Sequence, residues 1–563
     1  MNSKMRTKMY IVIVLIFLIS TVRNANADFT FGECTNLGPT VNSSADDSVP
    51  SISADRLILV FASERPGGYG GSDLWMATRL TTTEPWGEPV NLGPSVNSSQ
   101  IEWCTSLSPD GCTLYYASRR SGGMGNSDIW MSSRATRDDA WSLPKNLGST
   151  INTSGNDGTP FISSDGLELY FSSLNRSGGQ GEDDIWVSVR ETKNSEWGTP
   201  VNLGPIVNTG REELWPTLSS DGLSLFFSSG FLGSARPGGL GGSDLWMTRR
   251  KSRDAEWEEP VNLGAPVNSS SSESSPSIST DGSMLYFTVG EYGSGDLYQA
   301  SIIPIVDFNG DGIVDSMDMC IMVDYWGTDK SLCDIGPMPW GDGVVDVQDL
   351  IVFSEHLFED LRIVANWGLD EIEGDIAHDI SGNNHGTLIG NPTWQPANGI
   401  YDGALKFDGI DDYMSTPFIL DPAKGSLSAF TWIQGGAPGQ VILSQTGDFG
   451  GTWLGFNPSN GTLMTGFSDM YFGELASETV ITDNQWHHVG FVYDLDSLHR
   501  RLYVDGIIVA EDTTVVSGVP SDGGLHIGAG KDLDASTFFS GLIDDVRVYK
   551  VALSAEEIAT LAQ

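Results

Sequence analysis

Five times over residues 51–301 the chain repeats one pattern of apolar and polar positions. The runs SISADRLILVFAS, SLSPDGCTLYYAS, FISSDGLELYFSS, TLSSDGLSLFFSS and SISTDGSMLYFTV each join two short apolar or alternating stretches across a turn. Their turn aspartates are Asp55, Asp110, Asp165, Asp221 and Asp281, so the spacing is 55, 55, 56 and 60 residues. Each copy continues through a Gly-rich turn to a D-[LI]-[WY] stretch starting at Asp73, Asp128, Asp184, Asp244 or Asp296, and four then add a Trp and a P-x-N-L-G segment such as WGEPVNLG from Trp86. Short runs punctuated by Gly, Pro and Asn-Leu-Gly predict strands and turns. Four short strands per unit at this period is the pattern of propeller blades. The fifth copy stops after its third strand near Ser301, while an unattached CTNLG (Cys34 to Gly38) precedes the first. The pattern therefore predicts five blades, the last completed by an N-terminal strand that removes the open edge.

A residue demanded once per blade is architectural, whereas a catalytic group breaks the symmetry. Asp165 and its counterparts suit a turn whose carboxylate accepts local N–H bonds while Gly takes positive φ; the first copy carries Arg56 in place of that Gly. Arg65, Arg120, Arg176 and Arg236, each two residues before a Gly-Gly, are expected to pair with the D-[LI]-W aspartate that follows. Eight residues upstream of each turn aspartate stands another acid: Asp47, Glu102, Asp157, Glu213 and Glu273. These should encircle one mouth of the channel, where two readings stand. They hydrogen-bond a neighbouring blade's loop, or they form a ring that holds a cation or grips a basic partner. Trp103 and Trp215 break the repeat beside two of these acids and offer faces either for stacking on a sugar or for packing at the rim. The hallmark S-x-D-G-x-x-L-Y-F resembles the TolB-like (PD40/WD40-like) propeller repeats, over residues 28–302.

After Pro304 comes DFNGDGIVDSMD. Asp307, Asn309, Asp311, Asp315 and Asp318 fall at loop positions 1, 3, 5, 9 and 12, with Gly312 at the sharp turn and Ile313 offering its carbonyl. That is the oxygen-rich spacing a Ca2+ loop requires. A second loop, GDGVVDVQD, keeps Asp342, Asp346 and Asp349 at positions 5, 9 and 12, but its positions 1 and 3 fall on Met338 and Trp340, which cannot chelate. Asp334, reached through a longer loop, is the alternative first ligand. The pair, with Asp rather than Glu at position 12, resembles a type I dockerin over residues 303–361. The resemblance implies a small α-helical EF-hand-like module, calcium-dependent folding and docking to a cohesin-type receptor. Positions 10 and 11 are Ser316-Met317 and Val347-Gln348, a departure from the hydroxylated pair tied to cohesin recognition. A calcium-stapled spacer is the competing reading.

The stretches GALKFDGIDDYM, WHHVGFVYD with LYVDG, and FSGLIDDVRVYKVALSAEEIATL resemble a LamG-like (concanavalin-type) β-sandwich jelly roll over residues 362–563. His487 and His488 point to opposite faces of a strand and are expected to pack rather than share a metal. Asp408, Asp411, Asp412, Asp544 and Asp545 either form turns or supply a calcium site. Ser554, with Glu557 three residues on, predicts a capped terminal helix.

Composition narrows the partners. A net charge of −44 excludes nucleic acid and anionic lipid as ligands and suits cations, neutral glycans or basic proteins. Lys4, Arg6 and Lys8 before the apolar run YIVIVLIFLI, then Ala25-Asn26-Ala27, predict a signal peptide over 1–27 with no membrane span after its removal. Export to the periplasm or outside the cell follows. Five cysteines are an odd number, so at least one lacks an intramolecular partner; a hairpin turning at Asp110-Gly111 sets Cys104 and Cys112 too far apart to bridge, which leaves Cys320–Cys333 as the candidate pair in a fold not built on disulfides. The fold expected is mainly β: a five-bladed propeller, a calcium module and a jelly roll. The function expected is binding or assembly with a polysaccharide or extracellular protein; a polysaccharide-degrading glycoside hydrolase and a purely structural surface protein are the alternatives.

Overall fold

In the computed structural model the blades appear where the repeats place them. The residues described are 29–563 apart from 231–235, 292, 330, 448–449, 467–472, 514–520 and 522, so the expected signal peptide lies outside them. No helix among the described residues is long and apolar enough to cross a membrane. Contacts divide the chain into two compact units, Met1–Asn309 with Asp315–Leu357, and Gly310–Val314 with Phe358–Gln563.

Four blades are four-stranded antiparallel sheets in chain order. In the second, Glu102–Leu107 is innermost, followed by Thr113–Ser118, Asp128–Ser133 and the short Lys145–Asn146. The fifth blade owns three strands, Glu273–Ile278, Met284–Val289 and Asp296–Pro304. Its fourth is Thr35–Asn36, with Thr35 opposite Gln299, as the stray CTNLG predicts. A further strand, Phe29–Phe31, pairs with Ile302–Pro304 at the other end of the same edge.

Apolar side chains fill the space between neighbouring sheets, for example Val60 and Leu74 of blade one against Leu107, Leu114 and Trp130 of blade two. Apolar contact is non-directional, and a hydrogen-bonded device sets the register. Asn97 Oδ1 accepts the Leu74 N–H at 2.9 Å, and its amide donates to the Leu74 carbonyl at 3.0 Å. Asn42, Asn152, Asn208 and Asn268 clamp Leu297, Ile129, Ile185 and Leu245 in the same way. Each clamp also donates to the Asn of the N-L-G segment, and that Asn donates to the D-[LI]-[WY] aspartate, as in Asn97–Asn91–Asp73. Asn36 reaches Asp296 in this manner across the closing seam.

The repeated acids and arginines are paired differently from the sequence expectation. The D-[LI]-W aspartates do not take the arginines; Asp73 and Asp128, for instance, accept N–H groups of the preceding Gly-rich turn. The arginines instead reach the upstream acids, Arg65 to Asp47 at 2.5 Å, Arg120 to Glu102 at 3.1 Å, Arg176 to Asp157 at 3.6 Å and Arg236 to Glu213 at 3.8 Å. The turn aspartates are scaffold, as expected: Asp165 accepts from Ser163 and the Leu167 N–H. Burial alone would raise its acid, but Arg253 and these donors hold it down at about 2.

Two helices follow the propeller, Ser316–Asp324 and Val347–His356, each opened by a capping box, Asp315 with Asp318 and Asp346 with Asp349. No disulfide joins Cys320, which is exposed, to buried Cys333. In the second unit, two eight-stranded sheets face each other around a core that includes Trp367, Trp453, Phe407, Phe456, Phe491 and Phe539. The terminal helix Ala555–Leu561 is capped by Ser554 and Glu557 as expected, and its Ile558 covers Phe430, Tyr503 and Tyr549.

Asn152 is 1 % exposed and satisfies both backbone groups of Ile129. Asn152→Ala should destabilise the propeller by about 1–3 kcal/mol, since the buried Ile129 N–H loses its partner while the Ile129 carbonyl keeps the Leu147 N–H; urea unfolding followed by tryptophan fluorescence measures it.

Candidate functional site

The innermost strands line a narrow channel of about 60 Å³, room for roughly two waters. Each strand bulges two residues after its leading acid, and Val49, Cys104, Thr159, Trp215 and Ser275 take φ of 47–56° there. These left-handed residues fill the channel; Val49, Cys104 and Ala117 pack together, with Trp103 and Trp215 against them. Trp215 is therefore a channel plug, and Trp103 lies beneath the Arg119 guanidinium at 4.7 Å.

The five acids expected to ring the mouth do not face the channel. Asp47, Glu102, Asp157, Glu213 and Glu273 are 0–1 % exposed and absent from its lining. Each accepts the N–H and hydroxyl of the residue four positions upstream, as with Ser98 and Glu102 or Ser269 and Glu273. Their partners lie in the approach to their own strand rather than in a neighbouring blade's loop. They are buried anchors, not a cation ring.

A symmetry-breaking pair lies one residue away. The position before an anchor meets the start of the previous blade's third strand where Asn156 bridges Ser127, and at the corresponding positions of the next junction the charge of Asp183 acts on Glu212. Elsewhere these places hold Ile101 with Ser72, Ser272 with Ser243 and Asp46 with Gly295, so only the junction of blades three and four places acid against acid. Glu212 is 7 % exposed and its Oε2 makes no hydrogen bond. Burial, then the charges of Asp183 and Glu182, push the Glu212 acid up to about 7; burial and Asp184 push Asp183 up to about 6. The pair sits close enough to the channel for Asp183 to act on Cys104, whose thiol burial raises to about 12.

The second calcium-type loop shows how its missing positions are filled. Asp349 accepts the N–H groups of Ile335, Gly336 and Asp346, and Asp318 accepts those of Phe308, Asn309 and Asp315. The same three donors in the same order align Asp334 with Asp307. Asp334 in turn accepts the N–H groups of Asp342 and Gly343. Met338 and Trp340 are thus not ligand positions; they belong to an excursion, Pro337–Trp340, after which Gly341 resumes the φ of +77° seen at Gly310. Asp334, Asp342, Asp346 and Asp349 form an all-oxygen donor set, with no lysine or arginine between them. That chemistry fits a hard divalent cation. In the first loop the Ile313 N–H donates to Asp311, as the Val344 N–H does to Asp342 in the second.

In the jelly roll, Asp408, Asp411 and Asp412 come together, with carboxylate oxygens all within 4.8 Å of one another. Asp544 and Asp545 lie apart from that trio: Asp544 accepts the N–H groups of Ile400 and Tyr401, and Asp545 pairs with Arg547 at 2.8 Å. His487 bonds Asp505 and Asp483, while buried His488 stacks on Phe430 at 5.5 Å, so the histidines pack on different neighbours as expected.

A cross-strand row on one sheet had no signal along the chain. Thr393 stands opposite Lys406, Lys406 opposite Leu542, Leu542 opposite Gln434, and Gln434 opposite Trp486. Residues opposite one another share a face, so four of these strands carry Lys406, Leu542, Gln434 and Trp486 in a line about 14 Å long. Gln395, Asn398 and Asn484 rim it, enclosing a surface pocket of about 490 Å³. On the same face of the Leu427–Gly435 strand the terminal helix covers Phe430 but leaves Gln434 half-exposed.

The carboxyl pair makes a pH-dependent contribution. Because both acids titrate above the ordinary carboxylate range, the fold favours their protonated forms, and stability is lost progressively as pH rises from about 4 through the folded values of about 6 and about 7. Glu212→Gln should therefore melt a few degrees above the wild type near pH 8 and match it near pH 4, as thermal scans at the two pH values would record.

Residues 408–559 match the family model Laminin_G_3, described as the Concanavalin A-like lectin/glucanases superfamily, in agreement with the jelly roll. No curated protein sequence matches significantly. Among solved structures, domain 4 of AbnA, a GH43 extracellular arabinanase from Geobacillus stearothermophilus in complex with arabinotriose, is 19 % identical and covers 36 % of this chain and 98 % of that one, at a TM-score of 0.30. Trypanosoma rangeli sialidase in complex with the inhibitor DANA is 12 % identical and covers 94 % of this chain and 85 % of that one, at a TM-score of 0.31. The binding domain of Paraclostridial Mosquitocidal Protein 1 is 13 % identical and covers 36 % of this chain and 52 % of that one, at 0.30.

Proposed function

We propose that the protein is an exported, calcium-stabilised carbohydrate-binding protein whose glycan site is the Lys406–Leu542–Gln434–Trp486 row. The observation that carries this reading is the composition of the row and its rim. A half-buried indole offers a flat apolar face, and Gln395, Asn398, Gln434 and Asn484 offer amides that both donate and accept. Neutral hydroxyl-rich chains need that mixture, and a strongly acidic protein does not repel them. The lectin/glucanase name of the matching family model points the same way. Calcium would be held by Asp334, Asp342, Asp346 and Asp349 and by the first loop, where it would draw the carboxylates together. Export rests on the basic, apolar and small-residue order of the first 27 residues. Exposed Met317, Val323, Trp326, Val347 and Ile351 on the helical module support docking to a protein receptor as an added role.

A second reading is favoured by the Asp183–Glu212 pair: two unlike acids at one blade junction, one of them titrating near neutrality, resemble the acid and base that a glycoside hydrolase requires. On that reading Glu212 is the proton donor, and Glu212→Gln abolishes release of reducing ends from a polymer that the wild type cleaves.

For the binding reading, affinity electrophoresis across a panel of neutral polysaccharides should show retardation by at least one polymer. Trp486→Ala should lose most of it, about tenfold or more in Kd, and Gln434→Ala a smaller part. Unchanged retardation in Trp486→Ala would move the site off this row.

A further inference from the structure

The excursion in the second calcium-type loop has an address. Trp340 is 2 % exposed and sits in the apolar cluster between blades four and five, with ring centroids 5.5 Å from Phe226 and 5.7 Å from Phe29. Its indole N–H makes no hydrogen bond, so the ring is held there by packing alone. Met338 packs against the same cluster. The propeller makes room at the Asp281-Gly282 turn: a Cβ on Gly282 would lie 2.8 Å from Met338 Sδ, 3.0 Å from Pro339 and 3.1 Å from Trp340. Phe29 belongs to Phe29–Phe31, the strand laid along the closing seam against Ile302–Pro304. Both ends of the excursion are fixed by the loop, since Gly336 donates to Asp349 at one end and Gly341 follows Trp340 at the other, its φ matched to Gly310.

We propose that the second loop is a sixteen-residue calcium site, Asp334 to Asp349 with Asp334 as first ligand, whose inserted Pro337–Trp340 segment latches the closing seam of the propeller, so that calcium binding tightens the seam. The physical step is short. Without the cation, Asp334, Asp342, Asp346 and Asp349 repel one another and the loop opens, which releases the two ends that hold Trp340. With the cation bound, the ends are drawn to a fixed separation and the plug is held against Phe29 and Phe226. The device serves the propeller itself and needs no receptor. It rests on the calcium reading of the loops given above.

Hydrogen–deuterium exchange of the mature chain, read by mass spectrometry with calcium and with EDTA, tests it, alongside calcium titration calorimetry. With free calcium tenfold above its Kd, exchange should slow roughly tenfold in Ile335–Val345 and also in Phe29–Phe31 and Ile302–Pro304. In Trp340→Ala the loop should keep its calcium response while the seam loses it. In Asp334→Asn, which leaves the plug in place, both responses should fall while the first loop still binds. Calcium uptake without seam protection in the wild type, or equal seam protection in Trp340→Ala, overturns the latch alone. No uptake by the second loop overturns the calcium reading and the latch with it. Should Trp340→Ala fail to fold, the contrast between wild type and Asp334→Asn decides the matter: seam protection that survives in Asp334→Asn sinks the latch.

Discussion

One asparagine side chain per blade holds the propeller in register. Sheets stacked on apolar faces could slide, because burial rewards area and not alignment. The amide of Asn97 removes that freedom by closing both backbone groups of Leu74 in the blade before it, and four equivalents repeat the bond around the ring. Once neighbouring blades are fixed, costly features can persist inside them. Five non-glycine residues sit at left-handed φ in the innermost strands, a conformation that survives only where its surroundings over-determine it. Four carboxylates are buried against arginines for the same reason, and the fifth, Glu273, is kept by the Ser269 N–H and hydroxyl.

The acidic composition thus divides into classes with different physics. The anchors are buried and fully bonded, and removing the donors around any one of them would strand a charge. The turn aspartates are at least partly exposed and accept local hydroxyl and N–H donors, which with nearby arginines hold Asp55, Asp110, Asp165 and Asp281 below the ordinary carboxylate range. The loop aspartates follow one another in two short segments with no lysine or arginine between them. Asp183 and Glu212 belong to none of these classes. They put acid against acid where the other junctions have Ser, Gly or Ile on at least one side, and burial raises both above the ordinary carboxylate range.

Much of the fold was legible in the chain because it repeats. Spacing fixed the blade number, and the stray CTNLG predicted the strand that completes the fifth blade. Repetition also separated scaffold from chemistry, correctly for Asp165. It could not assign partners. Arg120 stands eight residues before Asp128 in the chain, yet the folded path of the Gly-rich turn brings it to Glu102. The clamp asparagines were missed although Asn42, Asn97, Asn152, Asn208 and Asn268 keep the same 55, 55, 56 and 60 spacing as the turn aspartates; that common phase was the available signal. Trp340 read as a defective ligand because a twelve-residue frame was assumed, and the backbone donors to Asp349 restore the frame. The jelly-roll row had no linear signal, since Lys406, Gln434, Trp486 and Leu542 come from four separated strands.

The seam carries a consequence for how the molecule is made. Thr35 and Asn36 complete a sheet whose other strands end at Pro304, so their partners are synthesised more than 250 residues later. Blades one to four can form from neighbours in the chain as they emerge, each a local hairpin series. The ring can close only after the whole repeat region exists and a long loop has been brought together, a step whose entropic cost grows slowly with length but whose rate is set by such distant pairings. Until then the first strand of the chain and the open edge of blade five both expose unpaired backbone, the form of the protein most open to pairing with another copy of itself.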